Sequence, residues 1–371
     1  VTSGGFGAGE LQNRIADNFR FALCLEMGDK FKYAEVLRTH HIDVLPESNV
    51  KGRGIANING RVLEFQTALA FKASDDYART EKLVTCFGEM NRSWHGKCAR
   101  KIPTIPTNPD WDDFLTYIDT GDAHIRTEGL LPFGWNTRSA SVVSIDLSRT
   151  YCWLISGKAR TGKTNLLKVL ASSAALCDSD RFIFDFAQKL QKFAEENQAK
   201  YISDSRSLFD VLKALIPQFK ERNRKKQELI AAGYDEDEIY NEMKKYVPIY
   251  LFIDDLNDFL RVAYNPSEGV GSVSGFLENI AEKGYLHNIF IIAGLDQTKT
   301  AQSIGYQAFA SITSYKAGIH LGGNVAAQRL FDFPSISYQE QTKVSKPGTG
   351  WLVSTDYESS AIEVVIPKLK G

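Results

Sequence analysis

One stretch of the sequence matches a phosphate-binding loop at every position. An apolar run at residues 151–156 is followed by the pattern G-x-x-x-x-G-K-T, formed by Gly157, Lys158, Ala159, Arg160, Thr161, Gly162, Lys163 and Thr164. Glycines let such a loop curl until its backbone N–H groups face phosphate oxygens, and the following helix adds the positive end of its dipole. Lys163 is expected to reach the β- and γ-phosphates, and the Thr164 hydroxyl to ligate Mg²⁺. The pattern predicts a site for ATP and Mg²⁺, with a plain strand-to-helix turn as the structural alternative.

A second apolar run ends abruptly in two carboxylates. Residues 247–253 are hydrophobic enough for a buried strand, and Asp254 and Asp255 follow at once. Because nucleotide-bound Mg²⁺ needs an acid at the end of a strand that neighbours the one before the loop, Asp254 is expected to hold the metal's water shell. Asp255, which would orient the attacking water, and Lys163 are the predicted catalytic residues. The structural alternative is that Asp255 caps the helix that follows.

Strand-like and helical patterns alternate through most of the chain. Apolar runs at residues 151–156, 181–186, 247–253, 289–293 and 317–321 are separated by helical patterns at residues 164–175, 208–232 and 276–283. This alternation predicts an α/β fold with a mostly parallel central sheet and helices on both faces. A length of 371 residues allows one large domain and a smaller piece. The proline-rich segment at residues 101–109 is expected to be an extended entry into the larger domain.

Composition narrows the classes of function. A net charge of −1 does not favour nucleic acid as the principal partner. The five cysteines contain no C-x-x-C pair, so neither a disulfide framework nor a zinc site is expected. No apolar run reaches the ~18 residues of a membrane span. The basic run at residues 220–226 is interleaved with acids, which predicts a solvated helix face instead of a nucleic-acid or lipid contact.

The two ends of the chain carry a weak internal repeat. Residues 19–25 resemble residues 315–321, and Gly52-Arg-Gly-Ile55 resembles Gly348-Thr-Gly-Trp351 at the same separation along the chain. In each copy an apolar strand and a G-x-G turn are followed by a second strand, which carries Glu64 or Glu363. The repeat predicts that residues 1–70 are the end of a preceding module and residues 71–371 a module of the same kind, with chance similarity as the alternative. Because the first residue is Val1, we expect the chain to be part of a longer protein.

Together these motifs resemble the FtsK/SpoIIIE translocase family, and more narrowly the C-terminal ATPase modules of the type VII secretion ATPases EssC and EccC. The likeness runs along nearly all of the chain. Its segments are Lys101-Ile-Pro-Thr-Ile-Pro106, Leu131-Pro-Phe-Gly-Trp135, Phe184-Asp-Phe186, Asp254-Asp-Leu-Asn-Asp-Phe259, Gly318-Ile-His-Leu-Gly-Gly-Asn324 and Lys346-Pro-Gly-Thr-Gly-Trp351, with Asn18-Phe-Arg20 and Gly52-Arg-Gly54 in the first 70 residues.

The resemblance implies a RecA-like P-loop NTPase that works as an ATP-driven or ATP-gated motor at the cytoplasmic face of the bacterial membrane. Its implied cargo is a small helical protein of the WXG100 type. Its other implied partners are neighbouring modules of the same chain and further copies in a homo-oligomer such as a hexamer, with the membrane anchor upstream. Arg14, Arg20 and Arg53 are the candidates, by family position, for an arginine that completes a neighbouring site. A DNA translocase of the same superfamily is the main rival.

Two positions depart from the family pattern. The family's usual Glu after the metal-holding Asp is Asp255 here, which is one methylene shorter. Leu295 stands where the family has a polar Gln on the sensor strand, and Asp296 or Gln297 could substitute only with a shifted register. The departures imply a site that binds ATP well and hydrolyses it slowly. They also keep open a catalytically silent scaffold that binds nucleotide and recognises cargo.

Overall fold

The structure is a computed structural model that describes residues 18–19, 21–96, 104–120, 129–333, 336–353 and 361–369. The chain divides into two compact units, Val1–Arg100 and Lys101–Gly371. The second unit begins where the proline-rich segment begins, as expected for an entry into the larger domain. The units and the predicted modules, 1–70 and 71–371, divide the chain at different points, and the module boundary stays a prediction.

The first unit is built around a small antiparallel sheet in the order β1-β2-β3. Its core is formed by the buried side chains of Cys24, Tyr33, Leu37 and Ile55. Strand β1 alternates exposed, buried and exposed side chains, so one of its faces is covered by this core and the other is open. The elements of this unit are β1 (Leu23–Leu25), α1 (Lys30–Leu37), β2 (Arg53–Ile58), β3 (Arg61–Gln66) and α2 (Asp76–Ser93).

The second unit alternates strands and helices, as the sequence pattern predicted. Its strands are β4 (Leu130–Asn136), β5 (Val142–Asp146), β6 (Cys152–Gly157), β7 (Asp180–Phe184), β8 (Lys200–Ile202), β9 (Ile249–Ile253), β10 (Ile289–Asp296), β11 (Gly318–Gly323), β12 (Ser345–Leu352) and β13 (Ile362–Val365). Its helices are α3 (Trp111–Thr120), α4 (Lys163–Ala174), α5 (Gln191–Glu196), α6 (Ser205–Ala231), α7 (Glu236–Met243), α8 (Leu256–Tyr264), α9 (Ser274–Lys283), α10 (Gln307–Ser314) and α11 (Tyr338–Thr342).

These strands form one ten-stranded sheet in the order β5-β4-β13-β12-β11-β6-β10-β9-β7-β8. Pairing is parallel from β11 through β8 and antiparallel from β5 through β11. Strand β6, which leads into the phosphate-binding loop, is central, and β10 separates it from β9. The carboxyl ends of β6, β10 and β9 therefore meet at one edge of the sheet, where open α/β sheets bind ligands.

Burial shows that helices cover both faces of this sheet. Every residue of β6 and of β9 is buried, and consecutive side chains of a strand point to opposite faces. Helix α4 packs against β4, β6, β9 and β10, and α10 packs against β6. Fully buried strands of this kind are typical of parallel sheets in α/β proteins. The predicted fold class is confirmed.

The basic run at residues 220–226 lies in the long helix α6, which continues through Pro217. The prediction of a solvated face is wrong for Arg222, which is 4% exposed and lies on the same helical stripe as Leu215 and Phe219. Its guanidinium donates to the carbonyl oxygens of Val247, His287 and Asn288, at 2.8, 3.0 and 2.9 Å. Arg222 therefore satisfies backbone groups next to the first residues of β9 and β10, while Lys220, Glu221 and Arg224 are exposed as expected.

The internal repeat of the sequence is also present in the backbone. Strands β1-β2-β3 and β11-β12-β13 share order, antiparallel direction and register. The matching pairs are Cys24–Ile55 with His320–Trp351, Leu25–Gly54 with Leu321–Gly350, and Ile55–Glu64 with Trp351–Glu363. The two segments thus form the same three-stranded unit twice.

Within the described part of the chain, every helix is either too short or too polar to span a lipid bilayer.

Candidate functional site

The predicted phosphate-binding residues form the connection between β6 and α4. Arg160 and Gly162 have positive φ angles of 65° and 109°, so the backbone curls back on itself before the helix begins at Lys163. Gly162 occupies the N-cap and has no side chain with which to satisfy the first N–H groups of α4. Lys158, Ala159 and Arg160 are exposed. The loop thus presents backbone donors and a helix N-terminus at an accessible edge of the sheet.

Strands β11 and β12 contact this loop and restrict its position. The N–H of Gly348, in β12, donates to the carbonyl oxygen of Thr161 at 3.0 Å. A Cβ added to Gly157 would lie 2.5 Å from Thr161 Oγ1 and 2.7 Å from the carbonyl oxygen of Leu321. Gly157 therefore has to be glycine because the loop and β11 approach its Cα too closely for a side chain.

The ammonium of Lys163 is folded into the centre of the loop. Its Nζ donates to the carbonyl oxygens of Gly157 and Lys158, at 3.0 and 2.8 Å. Burial lowers the pKa of Lys163, while the negative charges of Asp296, Asp255 and Asp254 act in the opposite direction. The charge is therefore partly desolvated, which strengthens its attraction for an anion that enters the loop.

Thr164 and Asp254, the predicted metal residues, are in direct contact. The Thr164 hydroxyl donates to Asp254 Oδ1 at 2.7 Å, although the two residues are 90 positions apart. Asp254 follows β9, which is not the neighbour of β6 that the sequence predicted, because β10 lies between the two strands. Asp254 is 9% exposed. Burial raises the pKa of its carboxyl group, and the hydrogen bond from Thr164 opposes this shift.

Gly294 makes this approach possible, and sequence reasoning missed its role. A Cβ on Gly294 would lie 2.2 Å from the carbonyl oxygen of Asp254. Only glycine therefore lets β10 pass beside the turn at the end of β9. The available signal was a glycine inside an otherwise apolar strand, which often marks a close backbone approach.

Asp255 has the structural partners that the alternative interpretation predicted. It is the N-cap of α8, and its Oδ1 accepts from the backbone N–H and the side-chain amide of Asn257, at 2.9 and 3.2 Å. Its Oδ2 lies 3.7 Å from Nζ of Lys299. Asp255 is thus both a helix cap and half of an ion pair at the edge of the site. Its catalytic role remains a prediction.

Strand β10 places Asp296, and not Leu295, beside the first residue of the loop. Leu295 pairs with Ser156 and is fully buried, whereas Asp296 pairs with Gly157. Burial raises the pKa of Asp296, but hydrogen bonds from Thr298 and the charges of Lys163 and Lys299 outweigh it and lower the pKa overall. A carboxylate therefore faces the loop close to Lys163.

The sequence patterns also did not indicate that a histidine, His320, is buried next to the strand that leads into the loop. His320 in β11 contacts the hydroxyl of Ser156 through Nδ1 at 3.3 Å. Burial, with added repulsion from Lys158 and Lys163, lowers the pKa of His320 to about 4. The ring is neutral at physiological pH and adds no charge to the site.

Two further residues that the sequence singled out, Asp185 and Arg53, have partners elsewhere in the fold. Asp185, in the Phe184-Asp-Phe186 run, accepts from the backbone N–H groups of Lys189 and Leu190 and closes the turn after β7. Arg53 pairs with Glu47 at 3.1 Å and with Glu64 at 3.6 Å inside the first unit. Arg14 and Arg20 lie outside the described residues.

Among the described residues, no group of three or more His, Cys, Asp and Glu side chains could hold a metal by itself. Mg²⁺ in nucleotide sites usually takes one or two protein ligands and completes its shell with phosphates and water. The contact between Thr164 and Asp254 fits that donor set.

The chain is similar in fold to several solved structures of ATPases. EssC (ATPases 2 and 3) from Geobacillus thermodenitrificans superposes with a TM-score of 0.67 at 19% identity, over 98% of this chain and 64% of that one. The cytoplasmic domain of EssC gives 0.61 at 19% identity, over 92% and 62%. Thermomonospora curvata EccC (ATPases 2 and 3), in complex with a signal sequence peptide, gives 0.53 at 17% identity, over 97% and 60%. This chain has the fold of the type VII secretion ATPases.

The resemblance that the motifs predicted is confirmed at the level of the fold. The chain spans less than two thirds of the length of the EssC and EccC chains it matches. No model of a known protein family matches the sequence. No curated protein matches it either.

Proposed function

We propose that the second unit binds ATP with Mg²⁺ and serves as an ATPase module of a type VII protein-secretion motor. The observation that carries this proposal is the hydrogen bond between Thr164 and Asp254 at the mouth of an intact phosphate-binding loop. A buried carboxylate is costly unless it has partners. Its position beside the loop hydroxyl is the arrangement that a nucleotide-bound metal needs.

Each part of the loop has a distinct task in this proposal. The backbone N–H groups and the N-terminus of α4 cradle the phosphates, and Lys163 neutralises charge on the β- and γ-phosphates. Thr164 and Asp254 would hold Mg²⁺, which neutralises charge that develops on the phosphate oxygens. Gly157, Gly162 and Gly294 keep the backbone free of side chains where these groups converge.

Hydrolysis needs a water whose oxygen bonds to the γ-phosphorus while the bond from that phosphorus to the β–γ bridging oxygen breaks. The products are ADP, inorganic phosphate and a proton. Asp255 is the proposed residue that orients this water, from a position fixed by its cap on α8. Because Asp is one methylene shorter than Glu, and a misplacement near 1 Å can cost about a hundredfold in rate, we expect slow turnover.

We further propose a location at the cytoplasmic face of the membrane, with attachment through other segments of a longer protein. The proposed cargo is a small helical protein of the WXG100 type, which the resemblance in sequence implies. That this module recognises a cargo is supported by the similar EccC structure, a complex with a signal sequence peptide. Neighbouring modules of the same chain and further copies of it, up to a hexamer, would complete the secretion motor. A DNA translocase is disfavoured by the net charge of −1.

The first unit is proposed to be the closing part of a preceding module of the same kind. Leu23 and Leu25 in β1 are 71% and 53% exposed, whereas Ile319 and Leu321 at the matching positions of β11 are fully buried. In the second unit, β11 pairs in parallel with β6, the strand before the phosphate-binding loop. Among the described residues β1 pairs only with β2. Its other edge would pair in the same way with the equivalent strand of a preceding ATPase core.

Calorimetry with ATP and Mg²⁺ tests the nucleotide site. We expect saturable binding that is lost in Lys163→Ala and retained in Lys192→Ala, because Lys192 is an exposed lysine that pairs with Glu196 on α5. Folded wild-type protein that gives no heat at millimolar ATP would contradict the proposal.

Turnover measured with and without a cargo peptide separates a motor from a silent scaffold. A salt-sensitive gel shift with duplex DNA would favour the rival translocase.

A matched pair of substitutions tests the tandem arrangement. Leu23→Ser should change the stability of this chain by less than about 0.5 kcal/mol, since the side chain is already exposed. Ile319→Ser should cost about 3 kcal/mol or more, because it replaces a buried side chain with a hydroxyl. Urea denaturation measures both. An equally large loss in Leu23→Ser would show that the open face of β1 is already covered and would contradict the proposal that a preceding core packs there.

A further inference from the structure

Lys299 supplies a second ammonium group, besides that of Lys163, at the edge of the sheet that carries the phosphate-binding loop. Lys299 belongs to the 3-10 helix Gln297–Gln302, and its Nζ lies 3.7 Å from Asp255 Oδ2. The Lys299 side chain is 46% exposed and the Asp255 side chain 25%. A lysine on a flexible four-carbon stem at this level of exposure can change partners without disturbing the core.

The backbone connects Lys299 to the end of β10 that lies beside the phosphate-binding loop. The 3-10 helix follows β10 directly, and Asp296, its N-cap, pairs across the sheet with Gly157 at the start of the loop. The N-cap bonds from Thr298 to Asp296 fix the direction in which the helix leaves the strand. Lys299 therefore lies on the segment that leaves the sheet beside the first residue of the loop.

The ion pair engages the oxygen of Asp255 that catalysis would need. Oδ1 is committed to the helix cap through Asn257, and Oδ2 faces Lys299. A carboxylate oxygen paired with an ammonium is a weaker acceptor for a water proton. While the pair persists, Asp255 is poorly placed to orient a nucleophile.

We propose that Lys299 senses the γ-phosphate and controls Asp255. Without a γ-phosphate, Lys299 stays on Asp255 Oδ2 and the catalytic carboxylate is masked. The negative charge of a γ-phosphate draws Lys299 away, which adds a charge-assisted hydrogen bond to the bound triphosphate and frees Oδ2 for the attacking water. ADP lacks that phosphate and leaves the pair in place. This inference rests on the proposed nucleotide site and adds a positioning residue to it.

A γ-phosphate sensor and a purely structural ion pair should affect the discrimination between ATP and ADP differently. A surface pair that only tethers α8 to the 3-10 helix would affect ATP and ADP binding equally, or neither. A γ-phosphate sensor makes a contact that ADP cannot make. The ratio of the two dissociation constants therefore separates the roles, whatever the absolute affinity.

The test is calorimetry with Mg²⁺ and either ADP or a non-hydrolysable ATP analogue. In Lys299→Met we expect the analogue to bind about tenfold more weakly, the value of one charge-assisted hydrogen bond, and ADP to change by less than about twofold. Lys299→Arg should retain most of the preference for the triphosphate. Lys316→Met, which removes an exposed lysine paired with Asp332 away from the loop, is the matched control and should change neither constant.

A second measurement tests the masking of Asp255. Asp255→Asn removes the partner of Lys299, so it should tighten analogue binding, and this gain should be absent when Lys299→Met is also present. Equal changes for both nucleotides in Lys299→Met, or a gain in Asp255→Asn that does not depend on Lys299, would overturn the inference. If wild type binds both nucleotides and Lys163→Ala abolishes binding, such a result defeats the sensor role alone. If wild type binds neither nucleotide, the proposed site itself fails.

Discussion

Gly294→Ala is the substitution whose effect on the candidate site follows most directly from the backbone. The added Cβ would lie 2.2 Å from the carbonyl oxygen of Asp254, whereas ordinary van der Waals contact begins at 3.4 Å. Relief of the clash requires the end of β9 and strand β10 to separate by about 1 Å, because both partners are backbone. The change is small in volume and falls outside the phosphate-binding loop.

The losses in stability and in metal binding can be estimated from the length of the hydrogen bond between Thr164 and Asp254 and from the size of the shift. The hydrogen bond from Thr164 to Asp254 is 2.7 Å long, so a shift of about 1 Å takes it beyond hydrogen-bonding range. Overpacking of this kind typically costs about 1–3 kcal/mol of folding free energy. A metal ligand misplaced by about 1 Å can lose up to about a hundredfold in function. We therefore expect the Mg²⁺-dependent part of ATP affinity to fall more steeply than stability.

The assay compares binding of a non-hydrolysable ATP analogue with Mg²⁺ and with a chelator, in wild type and in Gly294→Ala. Affinity in the chelator should change little, because the loop and Lys163 are untouched. The gain that Mg²⁺ provides should be largely lost. Gly275→Ala is the matched control, since a Cβ there has no neighbour within 4 Å and alanine suits helix α9.

Unchanged Mg²⁺ dependence in a folded Gly294→Ala protein would refute the reasoning. It would mean either that β10 can move away without carrying Asp254 with it, or that Asp254 does not serve the metal. Asp254→Ala separates the two explanations, because it removes the carboxylate without altering β10.

Two further predictions concern stability. Arg222→Met should lower the free energy of unfolding by about 2–4 kcal/mol, because the buried carbonyl oxygens of Val247 and His287 lose their donor and that of Asn288 keeps only the N–H of Ile249. Arg224→Met on the exposed face should cost less than about 0.5 kcal/mol in the same urea titration. His287 should make folding sensitive to acid: burial, with added repulsion from Lys226 and Arg222, lowers its pKa from 6.5 to about 4. The unfolded chain takes up this proton below pH ~6.5 and the folded chain only near pH ~4, so stability should fall by roughly 3 kcal/mol as the pH drops through that window. Urea midpoints across the window should show a shallower slope in His287→Asn, and an unchanged slope would contradict the assignment.

Much of the candidate site could be predicted from the sequence because phosphate binding is a local property of the chain. The loop consists of consecutive residues whose glycines, lysine and threonine each have one task, and an apolar strand precedes it. The alternation of apolar and helical patterns likewise reports the element order, since periodicity is set within each element. The α/β fold, the strand and helix around the loop, and the repeated three-stranded unit were accessible in this way.

Other features depended on which distant residues pack together. Arg222 belongs to a basic run by composition, yet it faces inward because it falls on the apolar stripe of α6, where it donates to the backbone carbonyl groups of Val247, His287 and Asn288. Asp254 and Asp255 are adjacent carboxylates in the sequence. One contacts Thr164 and the other caps α8 and pairs with Lys299, and no local pattern separates these roles.

The order of the strands is the clearest product of the tertiary structure. Sequence predicts that β6, β9 and β10 are parallel strands, but only the assembled sheet shows that β10 lies between the other two. That order puts Asp296 beside Gly157, requires glycine at position 294 and brings Lys299 to the phosphate edge. A sequence pattern reports the chemistry that each residue can perform. The distances between residues far apart in the chain, which decide what the site does, are set only when the sheet assembles.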